Sequence, residues 1–202
     1  MKACVLTIGD ELLQGFTTDT NSSWLGTTLL PYNILIRKKL VVGDNLIDII
    51  SETQKILDDK YDFLFVTGGL GPTHDDITRQ AFCQLLNDEL IFDENYYNQL
   101  IHHFEKRAIK IPKSNRSQAM FLKTADILPN KNGTALGMHL SCKDTHIFIM
   151  PGVPGEMREM VKNHVLPNYI NKTPTENIIT IKTAGIMESH LEEKVAVLME
   201  KY

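Results

Sequence analysis

The sequence predicts an α/β fold with a mostly parallel sheet covered by helices on both faces. Short apolar runs rich in β-forming residues alternate along the chain with segments whose apolar residues recur at helical spacing. Such alternation is typical of a parallel sheet with crossover helices. Two later apolar runs are joined only by the short turn SCKDT, which predicts an antiparallel hairpin and makes the sheet mixed.

The first half of the chain supplies three strands and three helices. Residues 2–8 form an apolar run that Gly9 ends, so they predict a buried first strand. A loop then leads to a helix at 22–30, which Asp19 or Thr20 could cap. The predicted strands at 34–42 and 63–66 are each followed by a helix, and the helix after 34–42 has its inner face at Leu46, Ile49, Ile50, Thr53, Ile56 and Leu57.

The second half continues with a helix at 94–107 and a basic, irregular segment, AIKIPKSNRSQAM. Residues 135–140 and 146–149 are the predicted hairpin strands, and PGVPGEM leads from them into another helix. We expect one domain over residues 1–170. Residues 171–202 then read as a linker, a strand at 178–184 and a helix at 188–201, which cannot bury much surface alone.

Composition excludes several classes of protein. The chain has 202 residues and a formal net charge of −4, which predicts no broad attraction to nucleic acid or to an anionic membrane. Its three cysteines are widely spaced and read as reduced thiols. No apolar stretch approaches a membrane span and the N-terminus lacks a signal-peptide pattern, so we expect a cytoplasmic protein.

Three glycine-rich loops carry the candidate chemistry. IGDELLQG, TGGLGPTHDD and MPGVPGEM each follow a predicted strand, so they should meet at the carboxyl edge of the sheet, where open α/β sheets bind ligands. Glycines before a helix N-terminus favour phosphate. The same loops carry carboxylates, which suit a phosphate bridged by a hard divalent cation, or contacts to hydroxyl and amine groups.

Simpler roles for these residues stay open. Asp76 could cap the helix that follows it, Asp44 could cap the next helix, and Glu11 could be a solvated loop acid. The spacings G-x-G-x-x-G and G-x-x-x-x-G-K-[ST] are both absent, so a nicotinamide-binding fingerprint and a P-loop are not supported. There is no nucleophile elbow either.

Six motifs carry a family resemblance: GDELLQG with DTN, VVGDN, TGGLGPTHDDIT, NRSQA, NGTALG and PGVPGEM. With these motifs in the same order along residues 1–170, the chain resembles the N-terminal domain of the CinA competence/damage-inducible proteins. More widely, it resembles the molybdopterin-binding domains of MogA, MoaB and MoeA. The segment IKTAGIMESHLEE resembles the start of the CinA middle domain.

The resemblance implies a three-layer α/β/α sandwich and a metal-dependent pyrophosphatase acting on ADP-ribose or a similar diphosphate. It ties Asp44 and Asp76 to function, and we expect both to hold a divalent Mg, Mn or Co ion, with K as an optional addition. Asp75 is the third candidate catalytic residue, and we expect no tightly bound organic cofactor. Asn115 and Arg116 would face the phosphates. The full set expected to contact the ligand is Gly9, Asp10, Glu11, Asn21, Gly68, Gly69, Gly71, Pro72, Thr73, Asn115, Arg116, Gly133, Pro151, Gly152, Pro154 and Glu156.

The resemblance also implies a small-molecule nucleotide or pterin as ligand and a homodimer. A binding module without turnover and a molybdopterin adenylyltransferase are the alternatives. CinA proteins usually carry a C-terminal domain that deamidates nicotinamide mononucleotide. We expect no deamidase activity from the present residues, because the chain stops before any such domain.

Overall fold

The computed structural model describes residues 1–170 and 181–199, and its centre is a six-stranded mixed sheet in the order β2-β1-β3-β8-β7-β6. The first four strands of this order are parallel, and β7 runs antiparallel to both of its neighbours. The predicted hairpin is therefore confirmed. The strands of the sheet are β1 (Lys2–Ile8), β2 (Leu35–Val42), β3 (Phe63–Thr67), β6 (Asp126–Leu128), β7 (Gly137–Cys142) and β8 (Thr145–Met150).

Alternate residues of each strand point to opposite faces, and this builds two cores. On one face, Ala3 and Val5 belong to a buried cluster with Leu25 and Met157. On the other face, Cys4, Leu6 and Ile8 pack in a separate cluster with helix residues such as Ile49 and Phe82. The three-layer α/β/α fold is thus confirmed. Its helices are α1 (Asp10–Leu13), α2 (Thr20–Leu29), α3 (Leu46–Asp58), α4 (Thr78–Leu86), α5 (Glu94–Glu105), α6 (Pro154–Met160) and α7 (Leu166–Tyr169).

Several local predictions were wrong. Asn45, not Asp44, caps α3, because its side-chain oxygen accepts from the N–H groups of Ile47 (2.9 Å) and Asp48 (3.2 Å). The loop after β1 contains the short helix α1. The irregular basic segment contains a 3₁₀ helix, Lys113–Ala119, and a small antiparallel pair, β4 (Leu90–Phe92) with β5 (Met120–Leu122), lies outside the main sheet.

The C-terminal segment matches its prediction only in part. Helix α8 (Glu188–Met199) forms where a helix was predicted. Residues 181–184 form no strand, because a strand requires a hydrogen-bonded neighbour and these residues have none in the described chain. The rest of that predicted strand and the linker lie outside the described residues, so the domain boundary at 170 stays a prediction. No helix within residues 1–170 and 181–199 is long and apolar enough to cross a membrane.

Candidate functional site

A cavity of about 580 Å³ opens at the carboxyl edge of the sheet, where β1, β3 and β8 end. The parallel register brings Ile8, Thr67 and Met150 to this edge, so the three glycine-rich loops converge as predicted. The cavity also receives the first residues of α2 and α6 and the loop before α4.

The backbone of the loop after β3 requires glycine at two positions. Gly68 and Gly69 have φ angles of 106° and 66°, which residues with a side chain rarely adopt. A Cβ atom at Gly69 would also overlap the side chain of Thr78, whose hydroxyl donates to the Gly68 carbonyl over 2.9 Å. The N–H groups of Gly69 and Leu70 make no hydrogen bond within the described chain, and both residues line the cavity.

Asp76 fastens the second half of this loop. One carboxylate oxygen accepts from the Gly71 N–H (2.7 Å), and the other accepts from the N–H (2.9 Å) and the hydroxyl (2.6 Å) of Thr73. Both oxygens are therefore engaged inside the loop. In this structure Asp76 shapes the cavity wall, which differs from the metal-ligand role that the resemblance implies.

Asp44 also lines the cavity and belongs to a group of acids. It exchanges hydrogen bonds with Asp10: the Asp10 N–H donates to the Asp44 carboxylate (3.0 Å), and the Asp44 N–H donates to the Asp10 carboxylate (3.2 Å). Burial is the largest cause that raises the pKa of Asp44, and the charges of Asp10, Glu11 and Asp75 add to it, outweighing the hydrogen bond from Asp10. A cation beside Asp44 would relieve this repulsion.

The N-terminus of α2 forms a third wall. Asp19 caps this helix by accepting from the Ser22 N–H (2.9 Å), and it also accepts from the Thr7 hydroxyl (3.0 Å). Although burial alone would raise the pKa of Asp19, hydrogen bonds from Ser22, Thr7 and the Asn21 backbone lower it overall. The Asn21 amide donates to the Gly152 carbonyl (2.8 Å) and so ties α2 to the loop before α6.

The loop around Gly133 is joined to α6 through Glu156. The Asn130 amide donates to the Glu156 carboxylate, while its oxygen accepts from the Gly133 N–H (2.9 Å). A Cβ atom at Gly133 would overlap that carboxylate. Gly133 therefore allows its loop to approach α6 closely, and it does not line the cavity itself.

The cavity wall is strongly acidic. Six carboxylate side chains line it, and no lysine or arginine does so among the described residues. Within the same residues, no group of three or more His, Cys, Asp or Glu side chains is placed to hold a metal ion. The lining acids are Glu11, Asp19, Asp44, Asp75, Asp76 and Glu156.

Most of the residues predicted for the site lie together. The cavity is lined by Gly9, Glu11, Asn21, Asp44, Gly68, Gly69, Gly71, Pro72, Thr73, Asp75, Asp76, Pro151, Gly152, Pro154 and Glu156. Asp10 and Gly133 lie just behind the wall, through their contacts with Asp44 and Glu156.

Asn115 and Arg116 do not line the cavity, contrary to the expectation that they face the phosphates. The Asn115 amide donates to Gln118 (2.7 Å), which does line it. The exposed Arg116 guanidinium stacks on the Phe92 ring, 3.8 Å from its centroid, and neither residue lines the cavity. Sequence reasoning missed the lining residues Thr7, Asp19, Thr67, Gln118 and Thr134, of which Thr7 and Thr67 were signalled by being polar at strand ends.

Fold and cavity together define an α/β domain with a cavity at the carboxyl edge of its sheet, which is where open α/β sheets bind small ligands. The family model described as a probable molybdopterin binding domain matches residues 4–170. The chain belongs to this molybdopterin-binding family.

Relatives named after CinA agree with the resemblance predicted from the sequence. A CinA-like protein of Flavobacterium psychrophilum is 40% identical over 200 residues, covering 96% of this chain and 47% of the relative. A putative competence-damage inducible protein of Oceanobacillus iheyensis is 34% identical over 203 residues, covering 99% of this chain and 48% of that protein. The chain thus spans about half the length of these curated relatives.

Solved structures show the same fold. A crystal structure of CinA from Thermoplasma acidophilum, described as of unknown function, has a TM-score of 0.72 and 29% identity, covering 84% of this chain and 97% of that one. MoaB from Thermus thermophilus has a TM-score of 0.56 at 20% identity, covering 82% of this chain and 89% of that one. The second likeness concerns the fold alone.

Proposed function

We propose that this domain binds a nucleotide diphosphate such as ADP-ribose together with a divalent cation and hydrolyses the diphosphate. The observation that carries the proposal is the composition of the cavity wall. Two residues whose backbone N–H groups make no hydrogen bond, Gly69 and Leu70, and six carboxylate side chains line the same cavity, and no lysine or arginine among the described residues lines it.

The charges make a cation necessary for such a ligand. Two like charges about 6 Å apart at an effective dielectric constant of about 20 repel by about 3 kcal/mol. A bare diphosphate would meet this repulsion from several carboxylates at once. Magnesium in proteins is commonly held by only one or two carboxylates, with water and substrate phosphates completing its shell, so the lack of a three-residue metal group is compatible with the proposal.

Asp44 and Asp75 are the residues best suited to hold the cation. Asp44 uses one of its carboxylate oxygens for the Asp10 N–H, and among the described residues the Asp75 carboxylate pairs with the exposed His74 ring alone (2.7 Å). A bound cation would polarise the phosphoryl oxygens. The N–H groups of Gly69 and Leu70 would bind the phosphates, and a carboxylate of the group around Asp44 would orient the attacking water.

A binding module without turnover is the second candidate, and one observation favours it. Both oxygens of Asp76, a catalytic residue by resemblance, are engaged by Gly71 and Thr73. A cavity built only to hold a nucleotide or pterin would need no free carboxylate at that position.

Incubation with ADP-ribose separates the two candidates. We expect AMP and ribose 5-phosphate to appear with magnesium, manganese or cobalt, with potassium tested as an addition, and no product after chelation. Asp44→Asn should abolish turnover. Asp48→Asn is the control and should not, because it changes an exposed acid in the first turn of α3 that does not line the cavity. Nicotinamide mononucleotide should remain intact.

The outcome that contradicts hydrolysis is specific. If ADP-ribose raises the melting temperature in the presence of metal but no product forms with any cation, the domain is a binding module. If ADP-ribose neither binds nor reacts, the nucleotide assignment itself fails.

A further inference from the structure

A buried arginine lies directly behind the cavity wall. Arg79 is the second residue of α4 and only 3% of its surface is exposed. Its guanidinium donates to the backbone carbonyls of Leu70 and, over 3.5 Å, of Gly71. Leu70 and Gly71 line the cavity, whereas Arg79 does not.

The environment of Arg79 leaves its charge only partly balanced. Burial lowers the pKa of Arg79 to about 10, against the attraction of Asp76, so the side chain stays charged at neutral pH. Its hydrogen bonds go to neutral carbonyls, and the carboxylate of Asp76 is itself engaged by Gly71 and Thr73. A buried cation held in this way is stabilised by any anion that comes near.

The hydrogen bonds also set the direction of the loop. Arg79 draws the carbonyls of Leu70 and Gly71 towards α4, while Asp76 draws the Gly71 N–H towards itself. Carbonyl oxygens carry partial negative charge, so turning them away from the cavity lowers the repulsion that a phosphate would meet there.

We propose that Arg79 is a positioning residue that provides the fixed positive charge for a phosphate-bearing ligand, acting through the Leu70–Gly71 backbone. This role rests on one part of the proposed function, the binding of a phosphate group in the cavity. It does not depend on hydrolysis. It replaces the role that the resemblance implied for Arg116, whose guanidinium stacks on Phe92 outside the cavity.

The test compares two variants with a matched control. Arg79→Lys keeps the charge and one donor to the carbonyls, whereas Arg79→Gln keeps a donor and loses the charge. Arg37→Gln removes an exposed arginine on β2. The probe is inorganic pyrophosphate with magnesium, followed by calorimetry, and each variant's unfolding free energy is measured separately in urea.

We expect Arg79→Gln to weaken pyrophosphate binding by about tenfold or more, Arg79→Lys to remain within about threefold of the parent, and Arg37→Gln to bind unchanged. Equal losses in both Arg79 variants would assign the residue to the shape of the loop alone and overturn the charge role. An unchanged affinity in Arg79→Gln would overturn the proposal altogether.

A second measurement covers the case in which Arg79→Gln fails to fold. In the unmodified protein, the guanidinium ¹⁵Nε signal of Arg79 should shift along the pyrophosphate titration with the same dissociation constant as the calorimetry. A signal that stays fixed while pyrophosphate binds overturns the proposal, and so does a protein that does not bind it. Pyrophosphate binding without ADP-ribose turnover would instead refute only the proposed hydrolysis.

Discussion

Asp76→Ala is the change that best separates a loop-shaping carboxylate from a metal ligand. The substitution removes three hydrogen bonds, from the Gly71 N–H (2.7 Å), the Thr73 N–H (2.9 Å) and the Thr73 hydroxyl (2.6 Å). A hydrogen bond to a charged group contributes about 1.5–3 kcal/mol. Thr73 is exposed, so water replaces most of its two bonds, and the half-buried Gly71 bond accounts for most of the loss.

We therefore expect local opening of the loop to become about 2 kcal/mol easier in Asp76→Ala. That free energy corresponds to an increase of about 30-fold in the hydrogen-exchange rate of the Gly71 amide, which NMR can follow. Asp76→Asn keeps one carbonyl oxygen as an acceptor and should show about half of the free-energy change. Asp75→Ala is the matched control, because in the described part of the chain the Asp75 carboxylate pairs with His74 and not with the loop backbone, so its loss should leave Gly71 exchange unchanged.

Two results would refute this reasoning. Gly71 exchange within about twofold of the parent protein in Asp76→Ala would mean that the carboxylate does not hold the loop. Turnover of ADP-ribose lost in Asp76→Asn with Gly71 exchange unchanged would mean that Asp76 acts on the ligand or its cation directly.

Four further predictions follow from the same contacts. Gly69→Ala should cost about 1–3 kcal/mol of unfolding free energy in urea because of its φ of 66°, whereas the control Gly155→Ala has open space for its Cβ and should cost nothing. Asp44→Asn should stabilise the metal-free protein at pH 7. Because the pKa of Asp44 is raised in the folded state, its stabilising contribution is full below the unfolded-state pKa of about 3.8 and is lost as pH rises through the folded pKa. The gain in unfolding free energy of the variant should therefore vanish in acid. Asp19→Ala should cost about 1 kcal/mol at pH 7, and the loss should shrink as pH falls below 3.8, because the lowered pKa of Asp19 confines its contribution to higher pH. Inorganic pyrophosphate should raise the melting temperature with magnesium and leave it unchanged after chelation; an equal rise without metal would contradict the charge argument for the cavity.

The main layers of the fold could be predicted because local patterns determine them. The apolar runs that became β1, β3 and β8 carry their own signal, as do the helical periodicities of α3 and α6. The three-residue strands β4, β5 and β6 could not be predicted, because a segment that short has no measurable alternation and forms only where a partner strand lies beside it.

The convergence of the site was predictable, but the roles of its side chains were not. The adjacent glycines Gly68 and Gly69 predict a tight turn, and their positive φ angles confirm it. The contacts of Asp76 and Arg116 could not be predicted from the sequence. The Asp76 carboxylate accepts hydrogen bonds within its own loop, and the Arg116 guanidinium stacks on Phe92. Both outcomes depend on which groups lie within contact distance of the side chain in the folded protein, and the spacing of residues along the chain does not determine that. The sequence predicts Arg79 only as a residue of a helix. Its burial and its hydrogen bond to the Gly71 carbonyl, which suggest a role at the cavity, are seen only in the structure.

The acidity of the cavity and the position of Arg79 have one common explanation. A lysine or arginine in the wall beside Asp44 would pair with the carboxylates and occupy the place that a divalent cation and its ligand would take. Under the proposed function, a fixed positive charge behind the backbone, at Arg79, would leave the acids open to a divalent cation while the loop presents N–H groups to phosphate. In such a cavity neither the cation nor the diphosphate binds well alone, because the cation needs phosphate oxygens to complete its shell and the phosphate needs the cation to offset the carboxylates. Binding of the two should therefore be strongly cooperative, and each should tighten the affinity of the other by the same factor.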